Sequence, residues 1–106
     1  MPLYNKLVRD QIPQIIENEG KSYSSKILDD NDYHAALLDK IEEELQELRE
    51  APETKRKEEL ADIIEVIYAL SQFYGTDISE LQQVREQKKN KRGGFAKRIY
   101  LIKVDD

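Results

Sequence analysis

Residues 37–70 read LLDKIEEELQELREAPETKRKEELADIIEVIYAL, two charged and apolar stretches broken by Ala51-Pro52. Each stretch carries apolar residues at helical rather than strand spacing. Projected at roughly 100° per residue, Leu37, Leu38, Ile41, Leu45 and Leu48 fall in one arc of the first helix. Leu60, Ile63, Ile64, Ile67 and Leu70 do the same on the second, widened by Val66 and Tyr74. Pro52 cannot continue the first helix and restricts the residue before it, so a tight turn must join the two. Two long antiparallel helices are the expected centre of the fold.

Outward from this pair, Asp30 or Asn31 is the expected cap of the first long helix, which should end near Ala51. The second should run from about Thr54 to just before Gly75. Upstream, Asp10 is placed to cap a short helix with Ile12, Ile15 and Ile16 on it, Pro13 in its first turn and Gly20 at its end. Lys21 to Leu28 lacks helical periodicity. Downstream, Thr76 or Asp77 should cap a fourth helix that Gly93-Gly94 terminates. Phe95 to Val104 alternates apolar residues and reads as a strand or an arm packed on a partner. The expected fold class is all-α, of four-helix-bundle type, one domain over residues 1–106 with an extended C-terminal tail.

Composition narrows the function. Hydrophobic residues make up 39% and charged residues 37% of the 106, too apolar for a disordered tail and highly charged for a minimal monomer. There is no cysteine, which excludes disulfides and thiolate zinc sites, and the single His34 cannot build a zinc centre alone. No run of about 18 apolar residues and no signal-peptide core occurs, so the expectation is a cytoplasmic protein without membrane partners. The net charge of −5 is unevenly spread. Asp39 to Asp62 holds ten acids and five bases, whereas Arg85 to Lys103 holds eight bases and one acid.

The acids are where the chemistry lies. Glu42, Gln46 and Glu50 project away from the apolar arc of the first long helix, as solvated residues should. Glu44 borders the arc, with Glu47 one turn on along the same flank. On the next helix Glu59 falls inside the arc and Asp62 on its edge, while Glu58 and Glu65 point to water. A carboxylate on a packed face is costly unless it is paired or bound to metal. Four converging carboxylates repel unless a cation neutralises them, and all-oxygen ligation suits Mg²⁺, with Mn²⁺ an alternative. The competing explanation is a set of solvated salt-bridge partners, because E-x-x-E recurs by chance in any Glu-rich helix.

At these residues the sequence resembles the MazG-like, all-α nucleotide pyrophosphohydrolases, whose signature is E-E-x-x-E on one helix and E-x-x-D on the next. Here it reads Glu43-Glu44-Leu45-Gln46-Glu47 and Glu59-Leu60-Ala61-Asp62. The opening Tyr4-Asn5-Lys6-Leu7-Val8-Arg9-Asp10-Gln11-Ile12-Pro13 is similar to the "NKLVRDKIP" start of a subgroup labelled phosphoribosyl-ATP pyrophosphohydrolase-like. Lys91-Arg92-Gly93-Gly94-Phe95 is similar to its "RGGF" tail. The resemblance thus spans nearly the whole chain. One departure is the gap of only eleven residues between Glu47 and Glu59, at or below the short end of the family's range, which leaves little material for a substrate-gripping loop.

The resemblance implies hydrolysis of a nucleoside triphosphate between the α and β phosphorus atoms, with Glu44, Glu47, Glu59 and Asp62 holding magnesium. Glu47, with Glu44 beside it, is the candidate to activate water, and Glu43, projecting away from the seam, would orient a water or Lys40. Lys6, Arg9, Asn90, Arg92 and Arg98 are the candidates to meet the nucleotide, Arg by bidentate contact with phosphate. Against this, Arg9 and Lys6 could pair at the surface with Asp10, and Arg92 and Arg98 could serve solubility. His34, Tyr68, Phe73 and Tyr74 are expected in the core. House-cleaning of non-standard or deoxynucleotides is favoured over the phosphoribosyl-ATP reaction. Two other classes compete: a nucleic-acid-binding module using Arg85 to Lys103, with nucleic acid the less favoured partner, and an inactive helical regulator. The short chain and apolar tail lead us to expect a homodimer or higher homo-oligomer.

Overall fold

Asp29 starts the longest helix of the protein, seen in a computed structural model that describes residues 3–106. Its carboxylate accepts from the Asp32 backbone N–H at 2.8 Å, satisfying one of the donors that a helix start leaves free. Helix α2 then runs Asp30–Glu50. The cap sits one residue before the expected Asp30 or Asn31. All of residues 29–32 carry capping side chains, and the choice falls on Asp29, whose backbone is still extended (φ −73°, ψ 175°). Ala51, held extended by Pro52, ends α2.

A single 3₁₀ turn, Glu53–Lys55, follows and feeds α3, Arg56–Phe73. The α geometry therefore begins two residues later than Thr54. Gly75, at φ +79°, closes α3: its N–H donates to Gln72 O, and that of Thr76 to Ser71 O. Asp77 then caps α4, Ile78–Arg92, accepting from the Glu80 N–H at 2.8 Å. The short α1, Ile12–Asn18, departs from expectation at its start. Gln11, not Asp10, occupies the cap position, with helical backbone and no side-chain hydrogen bond. The chain is already turning there, since Ile12 N–H donates to Arg9 O, so no capping side chain is placed to accept.

The fold is all-α: four helices and no strand among the described residues. None of the helices is long and apolar enough to cross a membrane. The start of α2 lies beside the end of α3, where His34 Nε2 and Tyr74 Oη are 2.7 Å apart and His34 stacks on Phe73. Leu37 (2% exposed), Val66 and Leu70 are the buried centre, with Leu7, Tyr33, Ile41, Ala69 and Phe73 packed around them. His34 is half-buried and partnered, as a core histidine should be, and Tyr68 and Phe73 are half-buried. Tyr74 is not in the core; it stands exposed beyond the end of α3, its ring edge against His34.

The apolar arcs are wider than one neighbour can cover. Val66 and Leu70 turn inward, while Leu60 (52% exposed), Ile64 (47%) and Ile67 form a second stripe facing water. Leu38 and Leu45 do the same on α2. A helix apolar around more than one stripe is built to be covered on more than one side. Helix α1 packs on no other helix among the described residues, and α4 leans on α3 alone. The radius of gyration is accordingly 18.2 Å, against about 13 Å for a compact chain of this length. Residues 93–106 form no strand, the one turn among them running from Phe95 (98% exposed) to Arg98.

Because Leu37 is the most deeply buried side chain of this small core, Leu37→Ala should lower the unfolding free energy by about 2–4 kcal/mol. Urea denaturation monitored by circular dichroism checks this, and a loss below about 1 kcal/mol would mean the α2–α3 seam is not the stabilising unit.

Candidate metal centre

Glu44 faces α3 from the middle of α2 and is only 6% exposed. Lys40, one turn earlier, places its Nζ 3.4 Å from Glu44 Oε1. Glu44 Oε2 is buried without any hydrogen-bond partner, and so is Oε2 of Glu59 on α3. Buried polar atoms are almost always satisfied, so two unpartnered carboxylate oxygens at one seam call for a proton, a water or a cation. The seam produces the arrangement directly: Glu59 and Asp62 lie on the face of α3 that carries Val66 and Leu70 one and two turns on.

Two overlapping groups of carboxylates result. Glu43, Glu44 and Glu47 each bring an oxygen within 4.8 Å of the others, and Glu44, Glu59 and Asp62 do the same across the two helices. Glu44 belongs to both. Of the four residues anticipated as ligands, Glu44, Glu59 and Asp62 come together across the two helices, and Glu47 joins them only through Glu44. Glu43 lies outside the cross-helix group, in keeping with its projection away from the seam, but it is not left to water. It is half-buried and part of the first group, while also pairing with Lys40 at 3.4 Å. Lys6 and Lys40 cover the flank of α2 that a bare helical wheel assigns to water.

The electrostatics follow from burial and neighbours. Burial pushes the Glu44 carboxyl above the usual glutamate range, and hydrogen bonding and charge from Glu47 add to this, with Lys40 opposing. At Glu43 burial works upward too, but the hydrogen bond from Lys6 and the charge of Lys40 win and bring it below the usual range. Lys6 is held above its usual value by its hydrogen bond to Glu43, against some desolvation, with the charges of Glu43, Glu47 and Glu44 contributing.

Lys6 Nζ lies 3.0 Å from Glu43 Oε1, and Arg9 Nη2 lies 2.7 Å from Asp62 Oδ1. The surface pairing of either base with Asp10 is thus replaced by contact with the carboxylate site. Sequence reading missed these pairings; the one available signal was two bases three residues apart, matching one acid on each long helix. Asn90, Arg92 and Arg98 are exposed and make no side-chain hydrogen bond or ion pair, with the carboxylates or otherwise, among the described residues. A cleft of about 80 Å³ opens beside the site between Asn5-Lys6-Leu7 and α2 at Ala36, Asp39, Lys40 and Glu43. Nucleotide-sized pockets run to about 300 Å³ or more, so this cleft admits no whole nucleotide. The more open hollow formed by Glu17 and Lys21 to Ser25 shares no residue with the carboxylates.

Chemically, the set is all oxygen, anionic and partly dehydrated, and its two free oxygens suit a hard divalent cation. Comparison with known proteins adds little. No family model matches the chain, and no solved structure matches it. An uncharacterized protein of Mycolicibacterium smegmatis is 46% identical over 46 residues, which is 43% of this chain and 47% of that protein. The matched stretch spans about half the length of that curated relative.

The raised Glu44 carboxyl makes the folded, metal-free protein hold a proton more tightly than the unfolded chain. Stability from this source is full in acid and is lost as pH rises through the raised value. Glu43 acts oppositely, losing its contribution as pH falls through its lowered value. Glu44→Gln should therefore stabilise the metal-free protein at neutral pH by about 1 kcal/mol and remove the rise in stability on mild acidification. Melting curves in chelator between neutral pH and pH 5 test it; a less stable Glu44→Gln at neutral pH would contradict the reading of a buried charge that Lys40 only partly offsets.

Proposed function

We propose that this protein is a magnesium-dependent nucleotide pyrophosphohydrolase of the MazG-like type, cleaving a nucleoside triphosphate to the monophosphate and pyrophosphate. The observation that carries the proposal is the pair of buried, unpartnered oxygens of Glu44 and Glu59 at the α2–α3 seam. A nucleic-acid-binding module has no use for them, and a surface salt-bridge network would have satisfied them. Glu44, Glu47, Glu59 and Asp62 would hold Mg²⁺, or Mn²⁺ in its place. Held there, the ion would supply the positive charge that offsets phosphate oxygens and opens phosphorus to attack. Glu47, in reach of Glu44 but outside the cross-helix group, accepts the proton of the attacking water. The phosphoanhydride bond between the α and β phosphorus atoms breaks, and pyrophosphate leaves. Lys6 and Arg9, already at the rim of the carboxylates, meet the phosphate charge.

The favoured substrates are non-standard or deoxynucleoside triphosphates; phosphoribosyl-ATP is the alternative that the subgroup resemblance brings. The turn at Ala51 to Lys55 offers no long loop for base recognition, so that task falls to other segments.

The same reading includes a second copy of the chain. The uncovered stripes, Leu60, Ile64 and Ile67 with Leu38 and Leu45, and the small cleft support a four-helix bundle made from two antiparallel α2–α3 hairpins. The tail of one copy, with Asn90, Arg92 and Arg98, would then approach the site of the other.

Pyrophosphate release across a panel of canonical, deoxy and damaged triphosphates plus phosphoribosyl-ATP, with and without Mg²⁺, tests the chemistry. Release should require the metal and fall at least about 100-fold in Glu47→Gln and in Asp62→Asn. No release from any substrate by the folded protein with metal present would sink the enzyme reading. Separately, sedimentation should show a dimer or larger assembly that Ile64→Glu dissociates. A wild-type monomer with full activity would remove the shared bundle.

A further inference from the structure

The carboxylates around Glu44 are not left to repel one another. Glu43, Glu44, Glu47, Glu59 and Asp62 face three cations: Lys6 on Glu43, Arg9 on Asp62, and Lys40 on Glu43 and Glu44. Five formal negative charges against three positive ones leave the site net negative even with all three cations in place.

The three cations are anchored differently. Lys40 sits on α2 with its side chain mostly buried. Lys6 and Arg9 come from the segment ahead of α1, and Leu7 between them packs on the core around Leu37. Asn5, at φ +44°, turns the chain just before Lys6, a left-handed conformation that Asn tolerates better than most residues. Leu7 thus pins the backbone beside the site, while Lys6 and Arg9 are 40% and 56% exposed and free to change partner. Exposed ion pairs of this kind are weak. Arg9, however, lies on one of the carboxylates needed for the metal, and two cations close to one carboxylate repel each other.

Resting on the metal-centre reading above, we infer that Lys6 and Arg9 are internal counter-ions that exchange carboxylate for phosphate. Arg9 leaves Asp62, and Lys6 leaves Glu43, when a divalent cation neutralises the site. Held in place by Leu7, both then take up oxygens of a polyphosphate. A bare divalent cation displaces them without giving them a new partner; a cation arriving with a polyphosphate gives both of them one. The site is thereby selective for the metal–polyphosphate pair over either component alone, and Arg9 is a residue with two bound states rather than a permanent strut.

Calorimetric titration of Mg²⁺ alone into the metal-free protein tests this, comparing wild type with Arg9→Ala and Lys6→Ala. The guanidinium resonance of Arg9, assigned by its absence from Arg9→Ala, is followed by nitrogen-15 NMR in parallel. The expected result is Mg²⁺ binding about two- to fivefold tighter in Arg9→Ala, the worth of an exposed ion pair, with Lys6→Ala changing in the same direction. The Arg9 resonance of the wild type should shift on adding Mg²⁺ and shift again on adding pyrophosphate. Mg²⁺ affinity unchanged or weakened in Arg9→Ala, with a wild-type Arg9 resonance indifferent to Mg²⁺, would overturn the exchange and leave the metal site intact. No Mg²⁺ binding by wild type or either variant would bring down the metal centre and the exchange with it.

Discussion

A carboxylate held out of water between two helices must find a proton, a cation or a hydrogen-bond donor, and Glu44 is in that position with only half its oxygens served. Much of the protein can be understood from that constraint. Lys40 rides on the same helix one turn earlier, because i, i+4 spacing is the nearest place for an opposite charge. Glu59 meets Glu44 because the Pro52 turn is short enough to bring the second helix straight back. The N-terminal segment is tied down at Leu7 so that its two bases reach the acids. Packing alone would favour an apolar residue at position 44. Keeping a glutamate there costs stability in the metal-free chain, which is understandable where the charge serves a function.

Parts of this were legible in the sequence for identifiable reasons. Gly20, Gly75 and Gly93 end their helices with positive φ, a conformation glycine adopts without strain, so those ends could be read from residue type. Glu59 and Asp62 were legible because acids inside an apolar arc break the pattern around them. The Asp29 cap was not, since its neighbours offer the same chemistry and only backbone geometry selects among them. Nor was the phase of the α3 face: when apolar residues cover more than half a helix, periodicity alone does not say which stripe meets the partner. Val66 and Leu70 do so here, and Leu60, Ile64 and Ile67 do not. The Arg9–Asp62 contact lay beyond sequence logic altogether, because it joins an irregular segment to a helix 53 residues away.

The hairpin and the segments around it differ in character. Helices α2 and α3 hold the buried residues, whereas α1 and α4 hold none. The carboxylate site is therefore built on the best-buried pair of elements, while the cations proposed to serve substrate come from peripheral segments. That division suits a site whose anionic half must hold its geometry and whose cationic half must yield.

The tail carries a cost of another kind. Ile99-Tyr100-Leu101-Ile102 is a run of residues with strong strand preference, fully uncovered in the single chain and without a proline. Such a run on an open chain is a template for indiscriminate strand addition, the first step of aggregation. Lys97 and Arg98 stand immediately before it, and Lys103, Asp105 and Asp106 immediately after. These flanking charges act as gatekeepers, since stacking copies in register would pile like charges on one another. The segment can thus stay apolar and uncovered while being discouraged from adding strands to other copies.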